Sequence, residues 1–535
     1  MNESMSQAIP RWGDRVEVER INGVPFRMYA ERPHRLEHLL AFASRWGARP
    51  HIAQADRVLT FDDLRHAVMT KARDLVEHGV KAGDRVFLMG WNSADYVVNF
   101  WAALRAGAVP VLANTWWSEA EVSGALELLR PALILADRRA STKISPSWRR
   151  VAWEVDATSS GAIDADHTHE TVTHTDENDA AVIIFTSGTS GRPKAVVLSH
   201  RALLANLQML LNMTRRLPQQ VDETSADVAL HTGPLFHIGG AQAIMRAVTV
   251  GNTLVLPAGR FDPGEALALI ERWQITRWAA VPTMISRVLD HPDVHRRNLQ
   301  SLRAVTLGGA PLHPSLQQRI RSGLPGAQAR VATGYGLSEN GGQATAASDA
   351  DTIKRPGTSG RALPLTEIKI VDRIGSPDGE IFIRAPTQMS GYFGSATSPI
   401  DEDGWLGTGD LGRVDEAGYI WITGRCKDLI IRGGENISPA AVEQALLDAP
   451  GVRDAVVFGL AHPDLGEEVA AVVVVDDPSE SATVEAHVRT RLASFAVPTR
   501  WQFQTEPLPM NPTGKVDKPA VVAQARAELA EERAS

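Results

Sequence analysis

A run rich in hydroxyl side chains and glycine is the strongest chemical feature of this sequence. It reads Thr186-Ser187-Gly188-Thr189-Ser190-Gly191-Arg192-Pro193-Lys194 and lies between the apolar runs 181–185 and 195–198. Such a run forms a hairpin-like loop whose backbone N–H groups and hydroxyls turn toward an anion, and its glycines let the anion approach closely. Pro193 stands where a Walker A loop needs a Gly-Lys pair that opens a helix. The run therefore predicts a phosphate-binding loop of another kind.

Several further residues have a type and a setting suited to chemistry. Tyr335 stands between two glycines, so backbone can approach its ring, and a flat aromatic face of this kind suits stacking on a nucleobase. Asp410 and Arg425 are isolated charges beside glycine turns, and Lys515 follows a Pro-Thr-Gly turn. Each of these charged residues, taken alone, is compatible with a solvated surface side chain.

The composition excludes several classes of protein. The chain has 535 residues, of which 44% are hydrophobic and 22% charged, as expected for a globular protein of more than one domain. The 55 basic and 63 acidic residues give a net charge of −8, which disfavours binding to nucleic acid. The single cysteine, Cys426, excludes an intrachain disulfide and a Cys-based metal site.

The sequence shows neither a secretory signal nor an apolar run of the roughly 18 residues that a membrane span needs. We therefore expect a cytoplasmic protein. The adjacent Trp116 and Trp117 suggest at most a peripheral membrane contact, although such pairs more often pack between helices. The sequence leaves the oligomeric state open, with a homodimer as one candidate.

Alternation of helical patterns with short apolar runs, at 60–137 and again at 227–309, is typical of layered α/β units. After about Gly357, short strand-like segments between Gly and Asp turns predict a small β-barrel-like part. After about residue 425, helix and strand patterns follow each other in a compact stretch of sequence. This stretch predicts a separate α+β domain. We predict an α/β fold with a large N-terminal domain at 1–424 and a small C-terminal domain at 425–535.

The phosphate loop and six further segments, in the same order, resemble the adenylate-forming superfamily, which includes acyl-CoA synthetases, firefly luciferase and peptide-synthetase adenylation domains. The segments are PLFHIGG (234–240), LGGAPL (307–312), TGYGLSE (333–339), GWLGTGDLG (404–412), TGRCKDLIIRGGENISPAAVE (423–443) and NPTGKVDK (511–518). The resemblance spans nearly the whole chain and is of the acyl-CoA synthetase or fatty-acid–CoA ligase type. It implies that ATP, Mg²⁺ and CoA are used to convert a carboxylic acid to acyl-AMP and then to acyl-CoA.

The resemblance also assigns residues to the nucleotide and the metal. Tyr335 is expected to pack on the adenine, Asp410 to accept hydrogen bonds from both ribose hydroxyls, and Arg425 to contribute beside it. Thr186 and Glu339 are expected to hold Mg²⁺. Ser338 departs from the threonine that is usual in the family but keeps the hydroxyl. The full expected set is Thr186, Ser187, Gly188, Thr189, Ser190, Gly191, Lys194, Gly309, Ala310, Pro311, Thr333, Gly334, Tyr335, Gly336, Ser338, Asp410, Arg425, Lys427, Gly433, Gly434 and Lys515.

Catalytic roles carried over from the family fall on Lys515, His237 and Glu339. A carboxylate that attacks the α-phosphorus brings two anions together, so a cation such as Lys515 that bridges both stabilises the transition state. His237 is expected to border the reacting carboxylate. Lys427 matches the hinge about which the C-terminal domain is mobile, and the Gly433-Gly434 loop would help to form the path for pantetheine.

The nature of the acid is only narrowed by the sequence. His237 stands where amino-acid-activating relatives carry an aspartate, so no counter-charge for an α-amino group is evident. We expect the acyl pocket to be lined by 238–245, 308–311 and 340–343, where two glycines would leave volume. A medium-chain or long-chain fatty acid or a ring-bearing hydrophobic acid is therefore expected.

Three alternatives to a CoA ligase remain at this stage. An acyl-AMP ligase would load a separate carrier protein, but that subfamily usually carries an insertion that is not evident here. A luciferase-like oxygenase would share the adenylation motifs. A non-catalytic nucleotide-binding scaffold would be expected to have lost Lys515 or Glu339, and both are present.

Overall fold

The structure, a computed structural model, describes residues 11–155, 176–186, 193–222, 227–310, 312–324, 326, 330–372, 378–511 and 514–534. Its strands are β1 (Val16–Ile21), β2 (Val24–Tyr29), β3 (Pro50–Gln54), β4 (Arg57–Thr60), β5 (Arg85–Met89), β6 (Val109–Leu112), β7 (Leu133–Ala136), β8 (Arg150–Val151), β9 (Ala180–Thr186), β10 (Lys194–Ser199), β11 (Val228–His231), β12 (Thr253–Leu256), β13 (Arg277–Ala280), β14 (Ala304–Leu307), β15 (Val331–Thr333), β16 (Gly336–Leu337), β17 (Gly342–Gln343), β18 (Thr345–Ala346), β19 (Gly360–Ala362), β20 (Glu367–Val371), β21 (Gly379–Arg384), β22 (Gly391–Tyr392), β23 (Leu406–Val414), β24 (Tyr419–Arg425), β25 (Ile430–Arg432), β26 (Glu435–Ile437), β27 (Val452–His462), β28 (Gly466–Val475) and β29 (Arg500–Gln504).

Helices fill the crossovers between the strands. They are α1 (Ala43–Trp46), α2 (Phe61–Glu77), α3 (Ala94–Arg105), α4 (Glu119–Leu129), α5 (His200–Met213), α6 (Ile238–Val250), α7 (Pro263–Trp273), α8 (Pro282–Leu289), α9 (Pro314–Gly323), α10 (Asp349–Lys354), α11 (Pro439–Leu447), α12 (Ser481–Arg489) and α13 (Lys518–Ala534). Several begin at a hydroxyl N-cap; Thr60 and Ser118, for example, form capping boxes with the third residue of α2 and α4. Among the described residues, no helix is both long and apolar enough to cross a membrane.

Two seven-stranded sheets form the large lobe. Their strand orders are β22-β10-β9-β6-β5-β7-β8 and β15-β14-β13-β11-β12-β3-β4, with parallel pairing at the centre of each. The largest buried core combines residues of both sheets with residues of α2, α3, α5 and α6, so these helices lie between the sheets. Smaller cores cover the outer faces, with α4 on the first sheet and α7, α8 and α9 on the second. This layering confirms the predicted α/β class.

A six-stranded antiparallel sheet, in the order β18-β19-β24-β23-β21-β20, supplies the predicted small β part. β24 leads through a single 3₁₀ turn, Cys426–Asp428, into β25 of the small C-terminal lobe. There β25 to β29 form one sheet whose core includes Val442, Val469 and Val484. The large lobe and the small lobe are therefore joined by one short segment.

The two adjacent tryptophans are packed inside the large lobe. Trp117 is buried, with its ring centre 4.6 Å from that of Phe185. Trp116 is half-buried and makes edge contacts with the rings of Trp91, at 5.4 Å, and Phe236, at 5.0 Å. This pair therefore gives no support to a membrane contact.

Candidate active site

The loop predicted to bind phosphate connects two antiparallel strands, β9 and β10, as a hairpin in which Thr186 pairs with Lys194. The expected residues Ser187, Gly188, Thr189, Ser190 and Gly191, together with Pro311, lie outside the described residues. Thr186 and Lys194, at the two ends of the loop, are described, and both face the same neighbours.

Glu339 connects the ends of this hairpin to the rest of the site. Its Oε1 accepts a hydrogen bond from Thr186 Oγ1 at 3.4 Å and another from the hydroxyl of Tyr392 at 3.1 Å. Lys194 Nζ lies 4.7 Å from the centre of the Tyr392 ring, within cation–π range. A carboxylate and a hydroxyl that lie side by side offer the oxygen ligands that Mg²⁺ prefers, so Thr186 and Glu339 fit a metal that arrives with phosphate oxygens.

Tyr335, Asp410 and Arg425 form a second cluster. The buried carboxylate of Asp410 accepts a hydrogen bond from the Tyr335 hydroxyl at 2.6 Å and pairs with Arg425 Nε at 2.9 Å. Asp410 and Arg425 are direct partners across β23 and β24, so the sheet register fixes this pair. Burial and then the charge of Asp410 raise the pKa of Tyr335, so its phenol remains a hydrogen-bond donor at neutral pH. The carboxylate is thereby held in one orientation.

Lys515 of the small lobe reaches into the large lobe. A Cβ atom added at Gly309 would lie only 3.0 Å from Lys515 Cε and 3.1 Å from its Nζ, and Gly309 has a φ of +77°. Another residue at this position would be strained by the positive φ and would make the end of the lysine side chain shift, so glycine favours this close approach. Burial and the positive charge of Arg425 both lower the pKa of Lys515, because each disfavours the ammonium form. The ammonium lies in a partly desolvated place beside another cation.

His237 lies at the N-cap of α6, and the centre of its ring is 4.6 Å from the centre of the Phe236 ring. Burial, with a further contribution from the charge of Lys515, lowers the pKa of His237 to about 4, so the imidazole is neutral at pH 7. Its buried Nε2 has no hydrogen-bond partner among the described residues. A neutral ring nitrogen beside the lysine is thus available to a substrate.

The glycines expected to open the acyl pocket do not do so. A Cβ at Gly342 would fall 1.9 Å from Nε2 of Gln242, and one at Gly341 would fall 2.4 Å from the carbonyl oxygen of Thr387. Gln242 Nε2 donates to Asn206 Oδ1 at 2.6 Å and to the Gly341 carbonyl at 3.2 Å. The space beside both glycines is therefore filled by a hydrogen-bonded amide network and by backbone. The expected gain of volume at this segment was wrong.

The remaining expected residues lie on the edges of these clusters. Thr333 ends β15, Gly334 and Gly336 flank Tyr335, Ser338 opens the turn that carries Glu339, and Ala310 follows Gly309. Lys427 is exposed in the turn between the lobes. Gly433 and Gly434 form the tip of the β25–β26 hairpin with φ of 60° and 90°, and Gly433 N donates to the Leu465 carbonyl. That hairpin belongs to the small lobe, separate from the hydrogen-bonded clusters above.

One residue of the site was missed by the sequence analysis. Tyr392, at the edge strand β22, contacts both Glu339 and Lys194 across the sheet. The chain has only five tyrosines, and this one follows a glycine in a strand-like segment, as Tyr335 does. That shared setting was the available signal.

Comparison with known proteins agrees with this geometry. The family model for AMP-binding enzymes matches residues 39–393, and the model for their C-terminal domain matches residues 441–515. The chain belongs to the AMP-binding enzyme family. It is 37% identical, over 87% of its length and 93% of the relative, to a CoA ligase of Mycobacterium tuberculosis named for a 7a-methyl-1,5-dioxo-octahydro-1H-inden-4-yl propanoyl group. It is 33% identical to a feruloyl-CoA synthase of Amycolatopsis, over 88% of this chain and 95% of that enzyme.

Solved structures are similar over almost the whole chain. The O-succinylbenzoate coenzyme A synthetase of Bacillus subtilis, in complex with ATP and magnesium ion, superposes with a TM-score of 0.74 at 28% identity and covers 90% of this chain and 98% of that one. The same enzyme with an acyl-adenylate intermediate superposes with a TM-score of 0.75, at 28% identity, over 90% of this chain and 97% of that one. This family member is an AMP-forming acid–thiol ligase that uses ATP, Mg²⁺ and CoA.

Replacement of Asp410 by asparagine should raise the KM for ATP by ~10- to 100-fold, because a charge-assisted acceptor shared by Tyr335 and Arg425 is lost. The KM is obtained from the rate of pyrophosphate release measured over a range of ATP concentrations. Asp415→Asn is the matched control, since Asp415 has its own arginine partner, Arg355, at 3.0 Å, in the turn after the same strand. Equal KM values in the two variants would contradict a role of Asp410 in nucleotide binding.

The kcat/KM for ATP should decrease at alkaline pH with an apparent pKa below 10.5, the ordinary value for a lysine. The reason is that the pKa of Lys515 is lowered and that Lys515 acts only as a cation. The cation is present at low pH and is lost as the pH rises through that pKa. Pyrophosphate release between pH 7 and 11, with the fold followed by circular dichroism, measures this decrease. An apparent pKa at or above 10.5 in folded enzyme would contradict the assignment.

Proposed function

We propose that this chain activates a hydrophobic, ring-bearing carboxylic acid as its acyl-adenylate and transfers the acyl group to CoA, with Lys515 as the catalytic cation. The observation that carries the proposal is the position of the Lys515 ammonium, against Gly309 and beside the neutral His237, on the large lobe. This position combines a cation, a close approach to a glycine and an imidazole nitrogen that has no partner among the described residues.

In the first half-reaction an oxygen of the acid attacks the α-phosphorus of ATP, and the bond from that phosphorus to pyrophosphate breaks. Negative charge accumulates on the oxygens around the phosphorus during this step. The desolvated Lys515 ammonium interacts strongly with such charge because little water screens it. His237 Nε2, which is unpartnered among the described residues, is available to the acid's carboxylate.

The nucleotide would be held by the two hydrogen-bonded clusters. Asp410, oriented by Tyr335 and Arg425, would accept hydrogen bonds from the ribose hydroxyls. Thr186 and Glu339 would hold Mg²⁺, which when bound neutralises phosphate charge. Tyr392 supports this pair, since it donates to Glu339 and places its ring against Lys194.

The kind of acid follows from what surrounds His237. Phe236 and the neutral imidazole carry no negative charge that would bind an α-amino group. The relatives from Mycobacterium tuberculosis and Amycolatopsis are named for acyl groups that contain rings. A ring-bearing acid fits both observations, and an unbranched fatty acid is the competing substrate.

The second half-reaction requires the small lobe to turn. We assign the lobes to residues 1–424 and 425–535, with Lys427 in the joining turn as the hinge. Contacts across the lobe boundary include a hydrogen bond from Ser438 Oγ to the Thr423 carbonyl, the pairing of His313 with Asp448 at 3.3 Å, and packing of Gly514 against Met284. A rotation about the turn would exchange these contacts for others.

Lys515→Ala should slow adenylation by at least ~100-fold but leave thioester formation from supplied acyl-AMP within about threefold of the wild type, because the cation acts only in the first step. Pyrophosphate release and acyl-CoA formation are measured separately. Lys354→Ala, which removes an exposed lysine from α10, is the control. Equal loss of both steps in Lys515→Ala would overturn the division of roles.

Lys427→Pro should block the CoA step and leave adenylation intact, because proline restricts the φ and ψ changes that a hinge must make. Lys427→Ala keeps the backbone free and should support both steps. Single-turnover assays of each half-reaction distinguish the two variants. Unchanged turnover in Lys427→Pro would show that the hinge lies elsewhere.

The acceptor is tested by the products formed with CoA. Pyrophosphate release followed by thioester formation supports the CoA ligase. Pyrophosphate release without thioester would indicate a ligase that loads a carrier protein. An absence of pyrophosphate release with every acid would indicate a nucleotide-binding scaffold.

A further inference from the structure

One stripe of helix α6 is much less buried than the rest of that helix. Gly239, Gln242, Ala243 and Arg246 follow the spacing of one helical face and retain accessible surface, whereas Gly240, Ala241, Ile244, Met245, Ala247 and Val248 are buried. A Cβ at Gly239 would meet no atom within 4 Å. Gly239, two residues after His237, therefore borders open space.

The second seven-stranded sheet presents small side chains toward the same region. Ala229, Ala279 and Thr306 point to the face opposite the core of Leu230, Trp278 and Val305, and they retain accessible surface. Ala279 is exposed although β13 is an interior strand. An exposed alanine at the centre of a parallel sheet indicates a pocket between this face and α6.

The floor of this pocket is positively charged. Arg277, two residues before Ala279 and on the same face of β13, pairs through Nε with Asp227 at 2.9 Å, and Arg216 pairs with the same carboxylate oxygen at 3.2 Å. The charges of Arg277 and Arg216 both act on Arg246. The carboxylate of Asp227 is therefore shared by three guanidinium groups, two of which are paired with it directly.

Arg246 carries the surplus charge. Its Nη2 is buried and has no hydrogen-bond partner among the described residues. Burial, followed by the charges of Arg277 and Arg216, lowers the pKa of Arg246 to about 9, which leaves it a cation at neutral pH. A buried donor without a partner destabilises the protein unless a ligand supplies an acceptor.

The distance between the two ends suits a substrate. Arg246 follows His237 by nine residues, which is about 13 Å along a helix axis, and side chains on a helix lean back toward its N-terminus. The guanidinium therefore lies deeper in the pocket than the reacting carboxylate but within the length of a medium-sized acid. The lining between these ends is mostly small, with Gln242 and Thr306 as its polar members.

We propose that Arg246 binds a carbonyl or carboxylate oxygen at the far end of the acid, so that the preferred substrates carry a second oxygen function remote from the carboxylate that is activated. This inference rests on the proposed ligase activity and specifies the substrate class of the same site. A methyl-terminated acid would leave the guanidinium desolvated and unpaired, and the pocket therefore discriminates against it.

The test compares matched acids on two scaffolds. The linear acids are decanoic acid, which ends in a methyl group, sebacic acid, which ends in a second carboxylate, and 9-oxodecanoic acid, which carries a ketone next to the terminal methyl. The ring-bearing acids are indane-propanoic acid and the same acid with a ketone on the ring. Each is assayed for pyrophosphate release with the wild type, Arg246→Met and Arg246→Lys. Arg272→Met is the matched control, because Arg272 is an exposed arginine of α7 that pairs only with the exposed Asp56 among the described residues.

The wild type should prefer the acids with a distal oxygen by ~10- to 100-fold in kcat/KM. Arg246→Met should remove that preference, mainly through KM, and leave or improve the activity on decanoic acid, whereas Arg246→Lys should keep part of it for sebacic acid. Arg272→Met should resemble the wild type. A preference for sebacic acid alone would assign a carboxylate, and a preference for both ketones would assign a carbonyl oxygen.

Wild-type turnover without any preference for a distal oxygen would overturn this inference but would leave the proposed ligase activity standing. This measurement uses only the wild type, so it does not depend on the folding of a variant. A preference that survives in folded Arg246→Met, as judged by its thermal unfolding with ATP, would overturn the role of Arg246. Failure of every acid to release pyrophosphate would overturn the proposed function and this inference with it.

Discussion

The active site depends on a lysine ammonium that is held where a cation is disfavoured. Lys515 loses hydration when the small lobe lies on the large one, and Arg425 adds repulsion. Both effects make the empty arrangement unfavourable, and bound anions offset them because little water screens their attraction to the ammonium. Gly309 favours this close approach, because a Cβ at this position would press on the end of the lysine side chain and would be strained at the positive φ. The site is therefore complementary to accumulated negative charge, which adenylation produces.

The same electrostatics explains why two lobes joined by a short turn suit a two-step reaction. While ATP and the carboxylate are present, their charges attract Lys515 and stabilise the closed lobes. In the proposed reaction, departure of pyrophosphate removes much of that charge, and with it the attraction that holds the Lys515 ammonium at a place where burial disfavours it. The contacts across the boundary, such as His313 with Asp448 and Gly514 with Met284, would have to break in a rotation of the small lobe. In the proposed reaction, loss of the first product would weaken the closed arrangement and so favour the rotation that we assign to the second step.

Much of the fold and of the nucleotide site was predictable because the residues concerned lie in short sequence motifs. The alternation of helix and strand patterns predicted the α/β layers. The family resemblance assigned Tyr335, Asp410 and Arg425 to the nucleotide, and the structure brings the three into contact. Tyr392 was not predictable in this way, since its contact with Glu339 depends on the pairing of an edge strand far along the chain. The glycines at 341 and 342 misled for a related reason: composition shows that a side chain is absent, but only packing shows that Gln242 fills the space.

Arg246 illustrates the same limit and extends the physical argument to the other end of the substrate. Arginines are common in this chain, so one more in an amphipathic helix carries no signal until its neighbours are known. Asp227 is engaged by Arg216 and Arg277, which leaves Arg246 as a second desolvated cation, deeper along α6 than His237. In the proposed pocket, a desolvated cation at each end and mostly small side chains between them would fix both the position and the direction of an acid that has oxygens at both ends. Correct placement of the carboxylate beside Lys515 then follows from binding at the far end, so energy gained from a remote group is converted into orientation at the reacting atom.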